Sequence, residues 1–320
     1  MNNIHSSLII LTSPPASGKT YWIKTFADEW KPQSVLIISP LRALADECRE
    51  KWGEEILVMT PEEWLGKKIF CDVIIFDEFH LHFYWGDTFR PCLWEVFYEL
   101  SHRAELCILL TATLSISMQK EIEHFQANFN QIIWTDHGNQ KLKTAPAIYL
   151  KAPSRQWLEQ LILDLPKSGV QLIFCQYREE VFGWERKLTA RGFKVWSCVG
   201  GEAKAMRSRM SREERPDFII STTVLSHGVN LPRLSRITFL YPVGNIDFWI
   251  QMVARGGRQG ENYEVFALEN PHGIKWNRWL NSLAILGISL RMKKNSIIRQ
   301  IDQCYLKDSS SIRSPIKNGI

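Results

Sequence analysis

Val73-Ile74-Ile75-Phe76-Asp77-Glu78-Phe79-His80 sets two adjacent acids directly behind four apolar residues. A short apolar run that ends in polar residues fits a buried strand. Upstream, Leu8-Ile9-Ile10-Leu11 leads in the same way into Ser17-Gly18-Lys19-Thr20. Further runs at Val35 to Ser39, Ile56 to Met59 and Leu106 to Leu110 are separated by helix-like stretches. Alternation of this kind predicts a parallel sheet covered on both faces, an α/β fold.

After Thr135 the pattern lapses into Asp136-His137-Gly138-Asn139-Gln140-Lys141, a polar stretch suited to an interdomain linker. A second alternation follows at Val170 to Phe174, Val195 to Val199, Phe218 to Ile220, Ile237 to Leu240 and Val265 to Leu268. The expected organisation is a first lobe over 1–140, a second over 153–272, and a helical, basic extension over 273–320. Within the extension, Trp276 to Ile288 is a helix candidate. The last dozen residues, with Ser309-Ser310-Ser311, show no apolar periodicity and are expected to be disordered.

A chain of 320 residues has room for two lobes. No apolar stretch approaches the roughly 18 residues of a membrane helix, and the N-terminus lacks a basic and then apolar leader, so a cytoplasmic protein is expected. Seven cysteines, an odd number with no Cys-x-x-Cys pair, predict reduced and mostly buried thiols. Charge is divided unevenly. Residues 1–150 carry 13 Lys+Arg against 19 Asp+Glu, and residues 151–320 carry 26 against 15. A basic second half suits a polyanionic partner, although solvated helix faces give the same count. Lys204, Arg207, Arg209, Arg212 and Arg215 leave the same two readings open.

The phosphate-loop pattern asks for Gly-x-x-x-x-Gly-Lys-Ser/Thr, because backbone amides must wrap phosphates at a helix N-terminus. Here Ser13 stands in place of the leading glycine, and Pro14, Pro15, Ala16 and Ser17 fill the loop. Lys19 would then pair with the β and γ phosphates of ATP, with Ser17 and Gly18 lining the loop. The Thr20 hydroxyl would hold Mg²⁺. Asp77 would hold the Mg²⁺ through its water shell, and Glu78 would orient and deprotonate the attacking water. Solvated strand-end acids and an ordinary strand-to-helix turn are the bland alternatives. His80 and His82 lack a cysteine or carboxylate cluster to complete a tetrahedral metal set, and His80 is read as a γ-phosphate sensor. A third site lies far downstream, in Gln251-Met252-Val253-Ala254-Arg255-Gly256-Gly257-Arg258, whose two arginines have the spacing of fingers reaching a triphosphate from a second lobe.

Taken in order with Ser39 to Ala45, Thr60-Pro61, Thr111-Ala112-Thr113, Ile173 to Gln176 and Ser221 to Pro232, these segments resemble a superfamily 2 helicase of the DExH-box type. Pro40 to Ala45 and Ser221 to Pro232 resemble its Ski-like group most. The resemblance implies two tandem RecA-like lobes, ATP and Mg²⁺ as cofactors, and single-stranded nucleic acid as the track, travelled 3′ to 5′. It implies that Arg42, Thr60 and Thr222 contact the phosphodiester backbone, that Thr111 and Thr113 couple ATP state to the track together with His80, that Gly228 belongs to the nucleotide site, and that Gln251, Arg255 and Arg258 close on the triphosphate. DNA is slightly favoured over RNA. Only 14 residues separate Ala45 from Thr60, which predicts a reduced set of track contacts. The upstream adenine-reading segment of DEAD-box relatives, and the winged-helix and ratchet domains of the Ski-like group, are not expected among these residues. The alternative reading is therefore an ATP-switched clamp that grips nucleic acid, or a protein partner, without unwinding it.

Overall fold

Strand β1 (Ser7–Thr12) is followed by β2 (Val35–Ile38), β3 (Leu57–Met59), β4 (Val73–Phe76), β5 (Leu106–Thr111) and β6 (Gln131–Asp136). The computed structural model describes residues 7–30, 32, 34–53, 56–166, 168–226, 230–268 and 278–311. These six strands form one sheet in the order β3-β2-β4-β5-β1-β6, and each neighbouring pair is parallel. The side-chain period of two divides each strand between two cores. Ile37, Val58, Ile75 and Ile108 face α1 (Lys19–Trp30) and α2 (Arg42–Trp52) through Ile23, Ala45, Cys48 and Trp52. Leu36, Met59, Ile74 and Leu109 face the other side, against α3 (Pro61–Lys67), α4 (Cys92–Ser101) and α5 (Ile116–Glu123). With apolar partners on both faces, β2, β4 and β5 must be apolar throughout, as the continuous runs predict.

The second lobe repeats the plan. Its strands are β7 (Ile148–Lys151), β8 (Val170–Phe174), β9 (Val195–Cys198), β10 (Phe218–Ser221), β11 (Leu234–Phe239) and β12 (Glu264–Ala267). They lie in the order β7-β12-β11-β8-β10-β9, again all parallel. One face packs against α6 (Arg155–Asp164), α7 (Arg178–Thr189) and α10 (Arg278–Ser311), the other against α8 (Ala203–Arg212) and α9 (Ile246–Val253).

Two strands fall outside the sequence expectation. β6 is an edge strand whose residues stay largely exposed, so its run is broken by Gln131, Thr135 and Asp136 and reads as a fading pattern. β7 is the opposite edge of the second sheet and lies ahead of the expected lobe start at 153. Helix α10 includes Ser309 to Ser311, which were expected to be disordered. Ala284, Ile288 and Met292 dock its beginning on the lobe, and a nucleated helix extends at one hydrogen bond per residue. Trp276 and residues 312–320 lie outside the described residues. Cys48, Cys107, Cys175 and Cys198 are buried and unpaired, as expected, and Cys71 and Cys92 are half-buried and free. No described helix is long and apolar enough to cross a membrane.

Candidate functional site

The carboxyl ends of β1, β4 and β5 stand side by side, because β5 lies between the other two. The phosphate loop, the Asp77-Glu78-Phe79-His80 turn and the Thr111-Ala112-Thr113 turn therefore form one edge of the first lobe. The Asp77 amide donates to the Ile38 carbonyl at 3.0 Å and the Phe79 amide to Leu110 at 2.9 Å, which pins the acidic turn to both neighbouring strands. Glu78 adopts φ +47, and its amide donates to Asp77 Oδ1 at 2.9 Å. A left-handed backbone at a non-glycine residue is strained and recurs at functional sites. In the phosphate loop Ala16 has φ +61 and Gly18 φ +98, where a glycine meets no Cβ penalty.

A cavity of about 410 Å³ opens between the lobes. Gly18, Lys19, Asp77 and Glu78 line it from the first lobe, and Gln251, Arg255 and Arg258 from the second. The structure thus brings together the three sites of the sequence reading, the third of which lies more than 170 residues downstream of the other two. Lys19 Nζ donates to the Ser13 and Pro14 carbonyls at 3.1 and 3.3 Å. Burial holds the Lys19 ammonium below its ordinary pKa against the pull of Glu78 and Asp77. Burial also raises the carboxyls of Asp77 and Glu78, Asp77 further through its neighbour Glu78, and lowers Arg255 and Arg258. Burial thus disfavours each charge type in the cleft. A triphosphate with a divalent cation would relieve both, because the cations gain phosphate oxygens and the carboxylates a metal. The donors offered are oxygens alone, which suits a hard ion such as Mg²⁺. Among the described residues no group of three or more His, Cys, Asp and Glu forms a metal-binding cluster of its own.

Behind the cavity runs a buried hydrogen-bond chain. Gln251 Nε2 lies 2.9 Å from His80 Nε2, and His80 Nδ1 lies 3.0 Å from Thr111 Oγ1. Thr111 Oγ1 in turn donates to the Thr113 carbonyl at 3.1 Å and accepts from the Thr113 amide at 3.2 Å. An amide NH₂ can only donate, so His80 Nε2 accepts and Nδ1 carries the proton. Burial lowers the His80 pKa to about 4, with Asp247 opposing, which keeps the ring neutral and this tautomer fixed. Gln251 Nε2 also reaches Glu78 Oε2 at 3.5 Å. The chain joins both lobes through residues expected to couple them.

The remaining site residues are scattered more widely. Arg42 begins α2 and is exposed, and Thr60 follows the neighbouring strand β3. Thr60 is 3% exposed, and its hydroxyl accepts from the Glu63 amide at 3.4 Å as the N-cap of α3, so its first duty is to the fold. Thr222 is half-buried after β10 in the other lobe. Ser17 Oγ bonds Ser13 Oγ at 2.5 Å. Gly228 and the side chain of Thr20 lie outside the description. Of the basic run, Arg209 pairs with Glu213 at 3.5 Å, and Arg207 crosses to Asp46 and Glu50 of α2 at 3.8 and 3.9 Å.

Sequence reasoning missed a second set of crossings. A π-helical turn at His82–Gly86 follows the acidic motif directly and projects Tyr84 across the cleft. Tyr84 Oη donates to Asp247 Oδ2 at 2.5 Å, and its ring lies 5.1 Å from that of Phe248. From the linker, Gln140 Nε2 donates to Asp247 Oδ1 at 2.9 Å, Lys143 Nζ to the Ala16 carbonyl at 3.1 Å, and Thr144 Oγ1 to the Gly257 carbonyl at 3.0 Å. The Asn245-x-Asp247 cap of α9 was readable as a helix start, but nothing in a one-dimensional pattern pairs it with Tyr84.

Residues 154–260 match the helicase conserved C-terminal domain. Over those 107 of its 320 residues the chain is similar to helicases. It is 26% identical over 178 residues to an ATP-dependent RNA helicase eIF4A of Mycosarcoma maydis, a match that covers 54% of this chain and 43% of that protein. It is 23% identical over 198 residues to the ATP-dependent RNA helicase FAL1 of Kluyveromyces lactis, covering 59% and 49%. These helicase matches therefore span less than half the length of the curated relatives. In three dimensions the chain superimposes on S. cerevisiae Dbp5 bound to RNA and ADP BeF3 with a TM-score of 0.64 at 18% identity, covering 90% of this chain and 84% of that one. The two RecA-like parallel-sheet lobes are the fold that the motif order predicts.

Proposed function

We propose that the chain hydrolyses ATP and couples the reaction to movement along single-stranded RNA. The observation that carries this reading is the continuous chain from Gln251 through His80 to Thr111 and Thr113, set behind a cleft whose charges come from both lobes. Lys19 would hold the β and γ phosphates, and Asp77 with Thr20 would hold Mg²⁺, which would supply neutralisation of phosphate charge. Glu78 orients the attacking water and takes its proton. Arg255 and Arg258 stabilise the transferring phosphoryl group only while the second lobe is closed, so turnover and lobe motion are tied. Arg42 and Thr222 grip the track, and backbone contacts make that grip sequence-tolerant and salt-sensitive.

RNA is preferred as the track because the curated relatives carry the name RNA helicase. The slight lean toward DNA drawn from the sequence finds no support among them. None of those relatives carries the Ski-like name either. What supports a DExH-type site is His80 at its fourth position, bonded to Gln251.

The test is steady-state ATPase activity of the chain alone and with single-stranded RNA, single-stranded DNA or duplex at two salt concentrations, beside Glu78→Gln. The reading expects stimulation by single-stranded RNA that weakens with salt, and loss of turnover with retained nucleotide binding in Glu78→Gln. Undiminished turnover in that variant would remove the assignment. Stimulated hydrolysis with no displacement of an annealed strand would favour the clamp.

A further inference from the structure

The two lobes meet in a second rung one helical turn away from the chemistry. Asp247 and Gln251 are four residues apart on α9 and so share one side of it, and they are met by His80 of the acidic turn and by Tyr84 of the π-helical turn that follows it. His80 meets Gln251 at 2.9 Å, and Tyr84 meets Asp247 at 2.5 Å. The His80 and Tyr84 rings lie 6.2 Å apart, edge to face. Asp247 is fully buried, and both its oxygens are occupied by groups from outside its own lobe's sheet: Oδ2 by Tyr84, Oδ1 by Gln140 of the linker. Asn245 Oδ1 accepts from the Asp247 and Phe248 amides and receives the Tyr84 hydroxyl at 3.4 Å, which ties the same tyrosine to the N-cap of α9.

A buried carboxylate is costly unless hydrogen-bonded, and the net value of such a bond is largest when leaving it unmade strands a charge. Asp247 is satisfied only when the first lobe, the linker and α9 sit in this one register. The same helix runs on into the loop that carries Arg255 and Arg258. Any rotation that parts Tyr84 from Asp247 also moves those arginines relative to Lys19 and Glu78.

We propose that Tyr84, Asp247 and Gln140 form a closure clasp, whose positioning residues set the register at which α9 delivers Gln251, Arg255 and Arg258 to the nucleotide. The inference rests on the hydrolysis reading above. The clasp acts through the arginines and touches no phosphate, so it governs turnover and leaves nucleotide affinity to the phosphate loop.

The experiment compares wild type, Tyr84→Phe, Asp247→Asn, Asp247→Ala and the Tyr84→Phe/Asp247→Ala double variant in RNA-stimulated ATP hydrolysis. A fluorescent ATP analogue measures binding. Tyr84→Phe keeps the ring against Phe248 and removes only the hydroxyl, so the fold is spared. It is expected to lower kcat about tenfold while KM and the analogue's Kd stay within about twofold. Asp247→Asn retains an acceptor for Tyr84, and the Gln140 amide can turn to meet it, so most of kcat returns. Asp247→Ala should match Tyr84→Phe or exceed it, and the double variant should lose no more than Asp247→Ala. Unchanged kcat in Tyr84→Phe, or additive losses in the double variant, would overturn the clasp while leaving hydrolysis standing. If the wild type itself fails to hydrolyse ATP, the hydrolysis reading falls instead. Small-angle scattering then decides the clasp independently: an expanded radius of gyration in Tyr84→Phe and Asp247→Ala supports it, and an unchanged radius removes it.

Discussion

The two walls of the cleft are built by different means. On the first-lobe side, Lys19 opens α1 after the turn that leaves β1, Asp77 and Glu78 sit on the turn that leaves β4, and hydrogen bonds to adjacent strands hold those turns. On the second-lobe side, Arg255 and Arg258 follow a helix of eight residues whose position relative to the phosphate loop depends on contacts across the gap. One wall is set by local folding and the other by closure. Nucleotide binding should therefore belong to the first lobe, and transition-state stabilisation to the second.

The largest expected effect separates the walls directly. Lys19→Ala should abolish detectable binding of a fluorescent ATP analogue along with turnover. Arg255→Ala should leave that affinity within a few-fold yet lower kcat by about 10³ or more, the range typical of a lost arginine finger. Equilibrium titration beside steady-state kinetics checks both. If Arg255→Ala weakened binding as much as Lys19→Ala does, the division of labour would be wrong.

A smaller effect is expected on stability, confined to one wall. A Cβ at Gly256 would stand 2.3 to 2.6 Å from atoms of the Tyr263 ring, which is fully buried and donates its hydroxyl to the Thr144 carbonyl at 2.9 Å. Nothing flexible can yield there. Gly256→Ala should cost roughly 1–3 kcal/mol or more in overpacking and lower the melting transition of the second lobe by several degrees. Differential scanning calorimetry with and without nucleotide reads it. Gly18→Ala meets no atom within 4 Å, so its penalty is confined to backbone conformation at φ +98.

How far the sequence could be read follows the same division. The strand ends of the first lobe were legible because a buried parallel strand must be apolar throughout, so Asp77 and Lys19 stand out at the points where the runs stop. The edge strands β6 and β7 were not, since one open side admits Gln131 or Lys151 and blurs the run. Gln251, Arg255 and Arg258 were legible as a motif but not in their setting, and the pairing of Tyr84 with Asp247 left no signal. A contact that exists only when two separately folded lobes meet has no local pattern to reveal it. The stretch 136–141 read as a plain linker, yet Asp136 Oδ1 receives Thr12 Oγ1 and the amides of Gly138 and Asn139, and Gln140 enters the clasp.

The smallest effect tests whether the first wall's rigidity carries a cost of its own. His82 is fully buried beside Phe79, Phe76 and Trp94, and its Nδ1 donates to the Phe79 carbonyl at 3.2 Å. Its Nε2 has no hydrogen-bond partner among the described residues. Burial lowers the His82 pKa to about 3, so the folded lobe tolerates only the neutral ring. The stabilisation this represents is complete above the unfolded histidine value near 6.5 and is withdrawn as pH falls from there toward 3. Asp77 and Glu78 titrate with the opposite sign, because their raised carboxyl pKa values make the folded state lose ground as pH rises. His82→Phe keeps an aromatic ring in the cluster and removes both the titration and the stranded nitrogen. The variant should gain about 1 kcal/mol at neutral pH and lose stability less steeply than wild type between pH 6 and 4, as read from urea unfolding at each pH. A wild-type slope that survives the substitution unchanged would place the acid sensitivity elsewhere, with His80 and its link to the second lobe the next group to examine.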